Sequence, residues 1–373
     1  MKILFISNSF WNIQNFRGGL VSELLNAGNE VYIAAPKDDH SNNLTLLGAT
    51  CIELPLSRRG LSILNEIFLY IRIRIIFFKI NPDFTLTFTI KPNIYASLFN
   101  FSYKVIPNIS GLGSSFLGSR IVSSFVKILY KLSLSFSEKV LFQNQDDLDY
   151  FLSQKLVNKN KAIVIPGSGV NLEKFSSELI AENPFKDSYF IEQTIILYAG
   201  RLIKDKGIQD FIDAAKLIKS EGLKHIQFVC LGDLDAGNPS ALSKEELESC
   251  INQELIIHLP FSDDVRKFLK FSDCVVLPSY REGLSKILLE AMAMSKPIIA
   301  TSVPGCQELI FEGENGFLVL PKNPANLAKK IKLFCNLTAD QKISFGQRSR
   351  SIVEEKYDEQ FVILKYQELL GLR

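Results

Sequence analysis

Residues 2–35 read KILFISNSFWNIQNFRGGLVSELLNAGNEVYIAA. The run at 2–7 is short and apolar, as a fully buried strand is. Polar residues fill 8–17, and then Leu20, Val21, Leu24 and Leu25 fall at helical spacing until Gly28 stops the helix. A strand resumes at 31–35. This is a βαβ unit, whose parallel strands require the crossover helix. Further strand-type runs follow at 51–54, 84–88, 105–109, 140–142 and 162–165. The polar, turn-rich stretch AENPFKDSYFIEQ at 181–193 reads as a linker. Beyond it the alternation restarts, with strands at 195–199, 227–231, 255–259, 274–277, 297–301 and 316–320. Helices are expected at 208–220, 263–271, 285–294 and 323–336, and a last amphipathic helix at 356–373. Two successive runs of this kind predict two doubly wound α/β domains, over 1–185 and 190–355. Such sheets bind ligands at the carboxyl ends of their strands, so two facing sheets would make an interdomain cleft.

The composition narrows the chemistry. The chain has 373 residues, 47 % apolar and 22 % charged, with 28 Phe and 11 Tyr, which excludes a disordered chain. Six cysteines are scattered without a CxxC pair, as expected of reduced thiols in a cytoplasmic protein. Three histidines, His40, His225 and His258, share no ligand spacing, which disfavours a multi-histidine metal site or Ser-His-Asp chemistry. No signal peptide or membrane-spanning stretch is visible. The formal net charge of +2 conceals an asymmetry: residues 54–140 hold eleven Lys and Arg, among them Arg58, Arg59 and Arg120, against three acids. This block is also rich in aromatics and Ile/Leu. Arg72, Arg74 and Lys79 stand among apolar residues in 61–80, and Phe116, Ile121 and Phe125 alternate with basics in 112–139. A basic, greasy surface suits an anionic membrane.

Two segments carry the chemistry. Pro278-Ser-Tyr-Arg-Glu282-Gly283-Leu284-Ser285-Lys-Ile-Leu-Leu-Glu290 runs from a strand end through a glycine turn into a helix. The amides of Gly283, Leu284 and Ser285 are expected to face an anion or a sugar hydroxyl. Glu282 and Glu290 are carboxylates suited to paired hydroxyl donors. Gly200-Arg201-Leu-Ile-Lys-Asp-Lys206-Gly207 follows the first strand of the second domain, where Arg201 and Lys206 suit a diphosphate.

Together these segments resemble the retaining glycosyltransferases of family 4, which have the two-domain GT-B fold. Glu282 and Glu290 match the family's E-x7-E, and Arg201 and Lys206 match its basic pair. Thr301-Ser-Val-Pro-Gly305-Cys-Gln-Glu308, Gly313-Glu-Asn-Gly316-Phe-Leu-Val and Asn29-Glu-Val-Tyr-Ile-Ala-Ala-Pro36 resemble further family segments. A narrower likeness lies in Asn15-Phe-Arg17, Thr89-Ile-Lys91-Pro-Asn93, Ile109-Ser-Gly111-Leu-Gly113 and Gly237-Asn-Pro-Ser240. These resemble bacterial enzymes that add an N-acetylhexosamine or hexose to a polyprenyl-diphosphate-linked sugar in surface polysaccharide, lipopolysaccharide or glycoprotein assembly.

The resemblance implies a UDP-sugar donor, no cofactor, no required metal and no nucleic-acid partner. It implies a peripheral enzyme at the inner face of the cytoplasmic membrane. Glu290 would hold the ribose, Glu282 and the amides from Gly283 to Ser285 the donor sugar, and Arg201 and Lys206 the diphosphate. Arg17 is expected at a phosphate, and Lys91, Asn93 and Gly111 on the acceptor or sugar side. The last helix is expected to pack on the first domain. Family members often carry a histidine where Thr89-Ile90-Lys91 stands here. Asp233-Leu-Asp235 has a metal-binding D-x-D pattern but reads better as a loop. Gly111-Leu-Gly113 fails the dinucleotide fingerprint because position 116 is Phe. The rival readings are a nucleotide-sugar epimerase of similar fold and a non-catalytic nucleotide-sugar-binding protein.

Overall fold

The computed structural model describes residues 1–57, 62–112, 120–185 and 193–372, without the side chains at 120, 121 and 179. Arg58, Arg59, Gly113 and Phe116 lie outside the described residues, as do the side chains of Arg120 and Ile121. The chain forms two compact units. The first joins Met1–Ser168 to Glu359–Arg373, and the second is Gly169–Asp358.

In the first unit, seven strands form one parallel sheet: β1 (Lys2–Ile6), β2 (Glu30–Ala35), β3 (Thr50–Glu53), β4 (Phe84–Phe88), β5 (Lys104–Ile109), β6 (Val140–Phe142) and β7 (Ala162–Val164). Their spatial order is β3-β2-β1-β4-β5-β6-β7, so the direction of winding reverses between β1 and β4. Every residue of β4 is buried, which is why these strands read as apolar runs rather than alternating ones. Ser9 accepts the Asn12 amide and starts α1 (Phe10–Asn26). The remaining helices are α2 (Ser41–Leu46), α3 (Ile63–Ile80), α4 (Ile90–Ser97), α5 (Arg120–Leu134), α6 (Gln145–Ser153) and, from the end of the chain, α13 (Glu359–Leu369).

The second unit repeats the plan. Its strands are β8 (Thr194–Ala199), β9 (Ile226–Leu231), β10 (Ile257–Leu259), β11 (Cys274–Leu277), β12 (Ile298–Thr301) and β13 (Gly316–Val319), ordered β10-β9-β8-β11-β12-β13. Its helices are α7 (Ile208–Ser220), α8 (Lys244–Asn252), α9 (Arg266–Phe271), α10 (Lys286–Ala293), α11 (Pro324–Cys335) and α12 (Ala339–Lys356). The reversal here falls between β8 and β11.

Three expectations are corrected. The second unit begins at 169, not 190, because Val170, Phe175 and Phe185 join its apolar core and Phe185 meets Phe268 edge-on at 6.2 Å. The last helix spans 359–369, not 356–373, since Lys356 ends α12. Third, α8 and α12 have no counterpart in the sequence reading. Both open on a capping box, Ser243 with Glu246 and Thr338 with Gln341, a signal visible in the sequence.

A buried polar chain ties α13 into the first sheet. Thr87 Oγ1 donates to Asn93 Oδ1 at 2.8 Å, Asn93 Nδ2 to the Asn108 carbonyl at 2.8 Å, and Asn108 Nδ2 to the Tyr366 hydroxyl at 2.9 Å. Tyr366 also packs beside Val362 and Ile363 in the core of this unit. Truncating a buried aromatic of this kind costs about 3–5 kcal/mol. Tyr366→Ala should therefore lower the free energy of unfolding of the first unit, measured by urea titration, by that amount, whereas Tyr366→Phe should cost about 1 kcal/mol.

Candidate functional site

In the second unit, the loops after β8 and β11 stand side by side at the winding reversal. The Tyr280 amide donates to the Asp205 carbonyl at 2.9 Å, and Ser279 Oγ donates to the same oxygen at 3.3 Å. Gly207 has φ of +76°, and a Cβ there would stand 2.0 Å from the Pro278 carbonyl oxygen, so only glycine permits the approach. Thr301 Oγ1 at the end of β12 donates to the Ser279 carbonyl. Gly305 in the next loop has φ of +80°, and its Cβ would lie 2.6 Å from Glu282 C and from the Gly283 carbonyl oxygen. Loops from three adjacent strands are thus locked together by backbone contacts.

That lock sets the side chains. Lys206 Nζ lies 2.5 Å from Glu282 Oε1, with the pair largely buried (26 % and 11 % exposed). Arg201 Nη1 lies 2.9 Å from Asp235 Oδ2, with Arg201 60 % exposed. The Arg201 carbonyl accepts the Tyr198 hydroxyl at 2.7 Å, which fixes the backbone beneath the guanidinium. A surface pair such as Arg201–Asp235 is worth about 0–1 kcal/mol, so a multiply charged anion can displace Asp235 at little cost. Glu290 lies on α10, is 7 % exposed, and has Lys286 Nζ 3.9 Å away. Burial pushes its carboxyl pKa up, Lys286 and Lys174 oppose the shift, and Asp264 adds to it.

The structure therefore places Arg201, Lys206, Glu282 and Glu290 in one unit, on the elements that leave the carboxyl ends of β8 and β11, and pairs Lys206 with Glu282. Of the three predicted amides, that of Ser285 needs correction. The Ser285 amide donates to the Gly305 carbonyl at 2.9 Å and is committed to loop packing. Gly283 is buried, and Leu284 packs its side chain on the apolar core. Asp233 and Asp235 are likewise committed. Asp233 Oδ1 accepts the Phe261 amide at 3.0 Å, and Asp235 holds Arg201 and accepts from Asn238 Nδ2 at 2.8 Å. His258 Nε2 sits 2.8 Å from the Gly232 carbonyl, a loop tie that sequence spacing did not show.

The remaining candidates lie in the first unit, and three of them are placed differently from expectation. Arg17 is 3 % exposed, stacked 5.0 Å over the Phe88 ring, and donates to the Phe16 carbonyl at 2.8 Å. Burial lowers its pKa, opposed by the Tyr366 hydroxyl beside it. It is a core cation here, not a surface phosphate contact. Asn93 is 1 % exposed, with both ends of its amide taken up by Thr87 and Asn108. Lys91 Nζ is bound at 2.5 Å to Glu66 on α3. Gly111 follows β5 with φ of +107° and is half-buried.

Comparison with known proteins agrees with this architecture. The family model for glycosyl transferases group 1 matches residues 180–351, and the model for glycosyl transferase 4-like proteins matches residues 2–144. A Campylobacter jejuni protein, N,N'-diacetylbacillosaminyl-diphospho-undecaprenol alpha-1,3-N-acetylgalactosaminyltransferase, is 28 % identical over 99 % of this chain and 98 % of its own. Among solved structures, Anabaena HepE in complex with UDP-glucose superposes with a TM-score of 0.81 over 100 % of both chains at 18 % identity. A glycosyltransferase from Rickettsia africae gives 0.78 over 99 % of this chain and 97 % of its own at 21 % identity.

The charge state of Glu290 has a testable consequence. A carboxyl whose folded pKa is raised adds stability while protonated, below its unfolded value, and loses it as pH rises through the folded pKa. Glu290→Gln should thus raise the thermal midpoint at pH 7, and the gain should fade below about pH 4. An unchanged midpoint at pH 7 would show that Lys286 fully offsets the burial. From the two domain matches and the paired parallel-sheet units, the chain belongs to the GT-B glycosyltransferases, with a 4-like first domain and a group 1 second domain.

Proposed function

We propose that the chain moves a sugar, an N-acetylhexosamine, from a UDP-sugar to a polyprenyl-diphosphate-linked glycan, with retention at the anomeric carbon and without a metal. The observation that carries this reading is the Lys206–Glu282 pair at the winding reversal of the second sheet, with Arg201 and Glu290 on the same loop-and-helix edge. Support for the acceptor comes from the Campylobacter relative, whose name specifies a diphospho-undecaprenol-linked substrate and an N-acetylgalactosaminyl group. Support for a uridine donor comes from the shared architecture of the Anabaena protein in complex with UDP-glucose.

In this reading Glu290 accepts from the ribose hydroxyls and Glu282 from a hydroxyl of the donor sugar. As the diphosphate arrives it draws Lys206 off Glu282 and Arg201 off Asp235, leaving both cations on the leaving group. The bond from C1 to the diphosphate oxygen breaks with its electron pair moving onto that oxygen. The acceptor oxygen bonds to C1 on the same face, and its proton passes to the departing diphosphate. No enzymic base is needed, in keeping with a chain of three histidines. Two fixed cations supply the charge stabilisation otherwise asked of a metal, typically about 3–4 kcal/mol each.

The site of action is the inner face of the cytoplasmic membrane. Among the described residues no helix is long and apolar enough to cross a membrane. However, α3 is apolar on two opposite faces. Leu69, Ile73, Ile76, Phe77 and Ile80 are buried against the sheet. Leu64, Ile67, Phe68, Ile71, Ile75 and Phe78 are 45–84 % exposed and span an arc of about 100°. Arg72 and Lys79 both lie along one edge of that arc. Arg74 instead turns inward and donates to the carbonyls of Tyr95 and Ala96 at 2.7 and 2.6 Å, closing the last turn of α4. An exposed apolar helix face edged by cations suits an in-plane position on anionic lipid.

Two experiments test the reading. Release of UDP from UDP-N-acetylhexosamine should require a polyprenyl-diphosphate-linked acceptor. Arg201→Ala and Lys206→Ala should each cut that turnover about a hundredfold, and near-normal rates in both would overturn the assignment. Vesicles rich in anionic lipid should pellet the wild-type chain at low salt, and Ile75→Asp with Phe78→Asp should leave it in the supernatant. Equal pelleting of the double variant would remove α3 from the membrane role.

A further inference from the structure

Tyr280 stands two residues before Glu282, on the loop between β11 and α10. Its hydroxyl donates to Asp210 Oδ1 at 3.3 Å. Asp210 lies in the first turn of α7, four residues after Lys206, and is 8 % exposed. The Lys322 amide, beyond β13, also donates to this carboxylate. The Lys322 ammonium in turn lies 5.1 Å over the Tyr280 ring. The segments that follow β8, β11 and β13 thus meet at one buried carboxylate. Such a group is costly unless its partners are fixed. Burial pushes its pKa up, opposed by the Tyr280 hydroxyl and by the Lys322 amide and ammonium, with Asp213 adding to the rise. The N-terminus of α7 favours its charge.

The arrangement matters because the link beside it is temporary. Lys206 and Glu282 join the same two segments, those after β8 and β11, at 2.5 Å. In the proposed reaction the diphosphate draws Lys206 away, so that link is lost just when both groups must be held in register. Backbone contacts to Asp205 hold Ser279 and Tyr280, but a residue held by its backbone alone can still pivot. The hydroxyl tie fixes Tyr280 at the far end of its side chain as well. It thereby fixes the direction in which the chain runs on to Glu282.

We infer that Tyr280 and Asp210 are positioning residues, whose hydrogen bond keeps the segments carrying Lys206 and Glu282 in register while the ion pair between them is open. The inference rests on the reading of Lys206 as a donor-diphosphate group and Glu282 as a donor-sugar group. Neither Tyr280 nor Asp210 makes or breaks a bond of the substrate; they act through Lys206 and Glu282.

Hydrogen exchange of the full-length chain, with and without saturating UDP, tests the tie. In Tyr280→Phe and in Asp210→Asn, the Tyr280 and Glu282 amides should exchange at the wild-type rate without UDP. With UDP they should exchange about tenfold faster than in the wild type. Tyr280→Phe keeps the ring beneath Lys322 and serves alone if Asp210→Asn fails to fold. In steady state both variants should lose about tenfold in kcat with the donor KM nearly unchanged, and the double variant should be no slower than either single one. Faster exchange that is the same with and without UDP would show a plain packing tie and overturn the inference, as would wild-type exchange under both conditions. UDP affinity separates this inference from the donor reading. Where Lys206→Ala weakens UDP binding and the tie variants behave as wild type, the donor reading stands and the tie falls. Equal UDP affinity in Lys206→Ala would remove the donor reading and, with it, the opening of the ion pair that the tie withstands.

Discussion

A parallel strand cannot hand the chain straight to its neighbour: the chain must first cross back over the sheet. Both sheets here obey that constraint without exception, since all their pairings are parallel. Every loop that leaves a strand's carboxyl end is therefore delivered to the same edge. Where the winding reverses, between β8 and β11, two such loops diverge to opposite faces and leave their polar residues side by side. Asp205 meets Tyr280 there through the backbone, and Lys206 meets Glu282 through its side chain. Residues 76 positions apart become neighbours because the sheet leaves the chain no other route.

The same constraint explains what was legible. A strand buried on both faces must be apolar throughout, so runs such as 195–199 and 274–277 announce themselves. Helix α12 does not, because the face it buries includes Gly346 and Ser349 alongside Phe345, Ile352 and Val353. Gly346 is there for closeness: a Cβ would stand 2.1 Å from the Ser295 carbonyl oxygen. A helix that docks through small residues has little apolar periodicity to read, although its capping box at Thr338 was visible. In the second unit, residue type and local spacing brought out Glu282, Glu290, Arg201 and Lys206. The commitment of the Ser285 amide to Gly305 was hidden, because it depends on a loop from another strand.

In the first unit local reading fared worse, and for a single reason. Arg17 and Asn93 look like surface chemistry in the sequence, a cation near glycines and an amide after a lysine and a proline. Both are buried, Arg17 beside Tyr366 and Asn93 through the Asn108 carbonyl, in a polar chain that ends on that same tyrosine. The Asn108 amide finds its partner in the Tyr366 hydroxyl, 258 residues further on. No window along the sequence contains both ends of that arrangement. Conversely, the mixture of apolar and basic residues in α3 is visible in the sequence, but the inward turn of Arg74 onto α4 is not, because one cation in a run of three gives no local sign of its partner.

The chain's itinerary also has a consequence for how it matures. The first unit is built from two pieces, and α13 belongs to it although the whole of Gly169–Asp358 is made in between. During synthesis, all seven strands of the first sheet emerge long before the helix that completes their core. Until α13 arrives, Asn108, Arg17 and the apolar groups around Val362 and Ile363 must wait with unfilled contacts. The second unit needs no such late segment and is contiguous. The order of folding is thus expected to run against the order of the sequence, with the later-made half reaching its final packing first and the earlier half closing only when α13 leaves the ribosome.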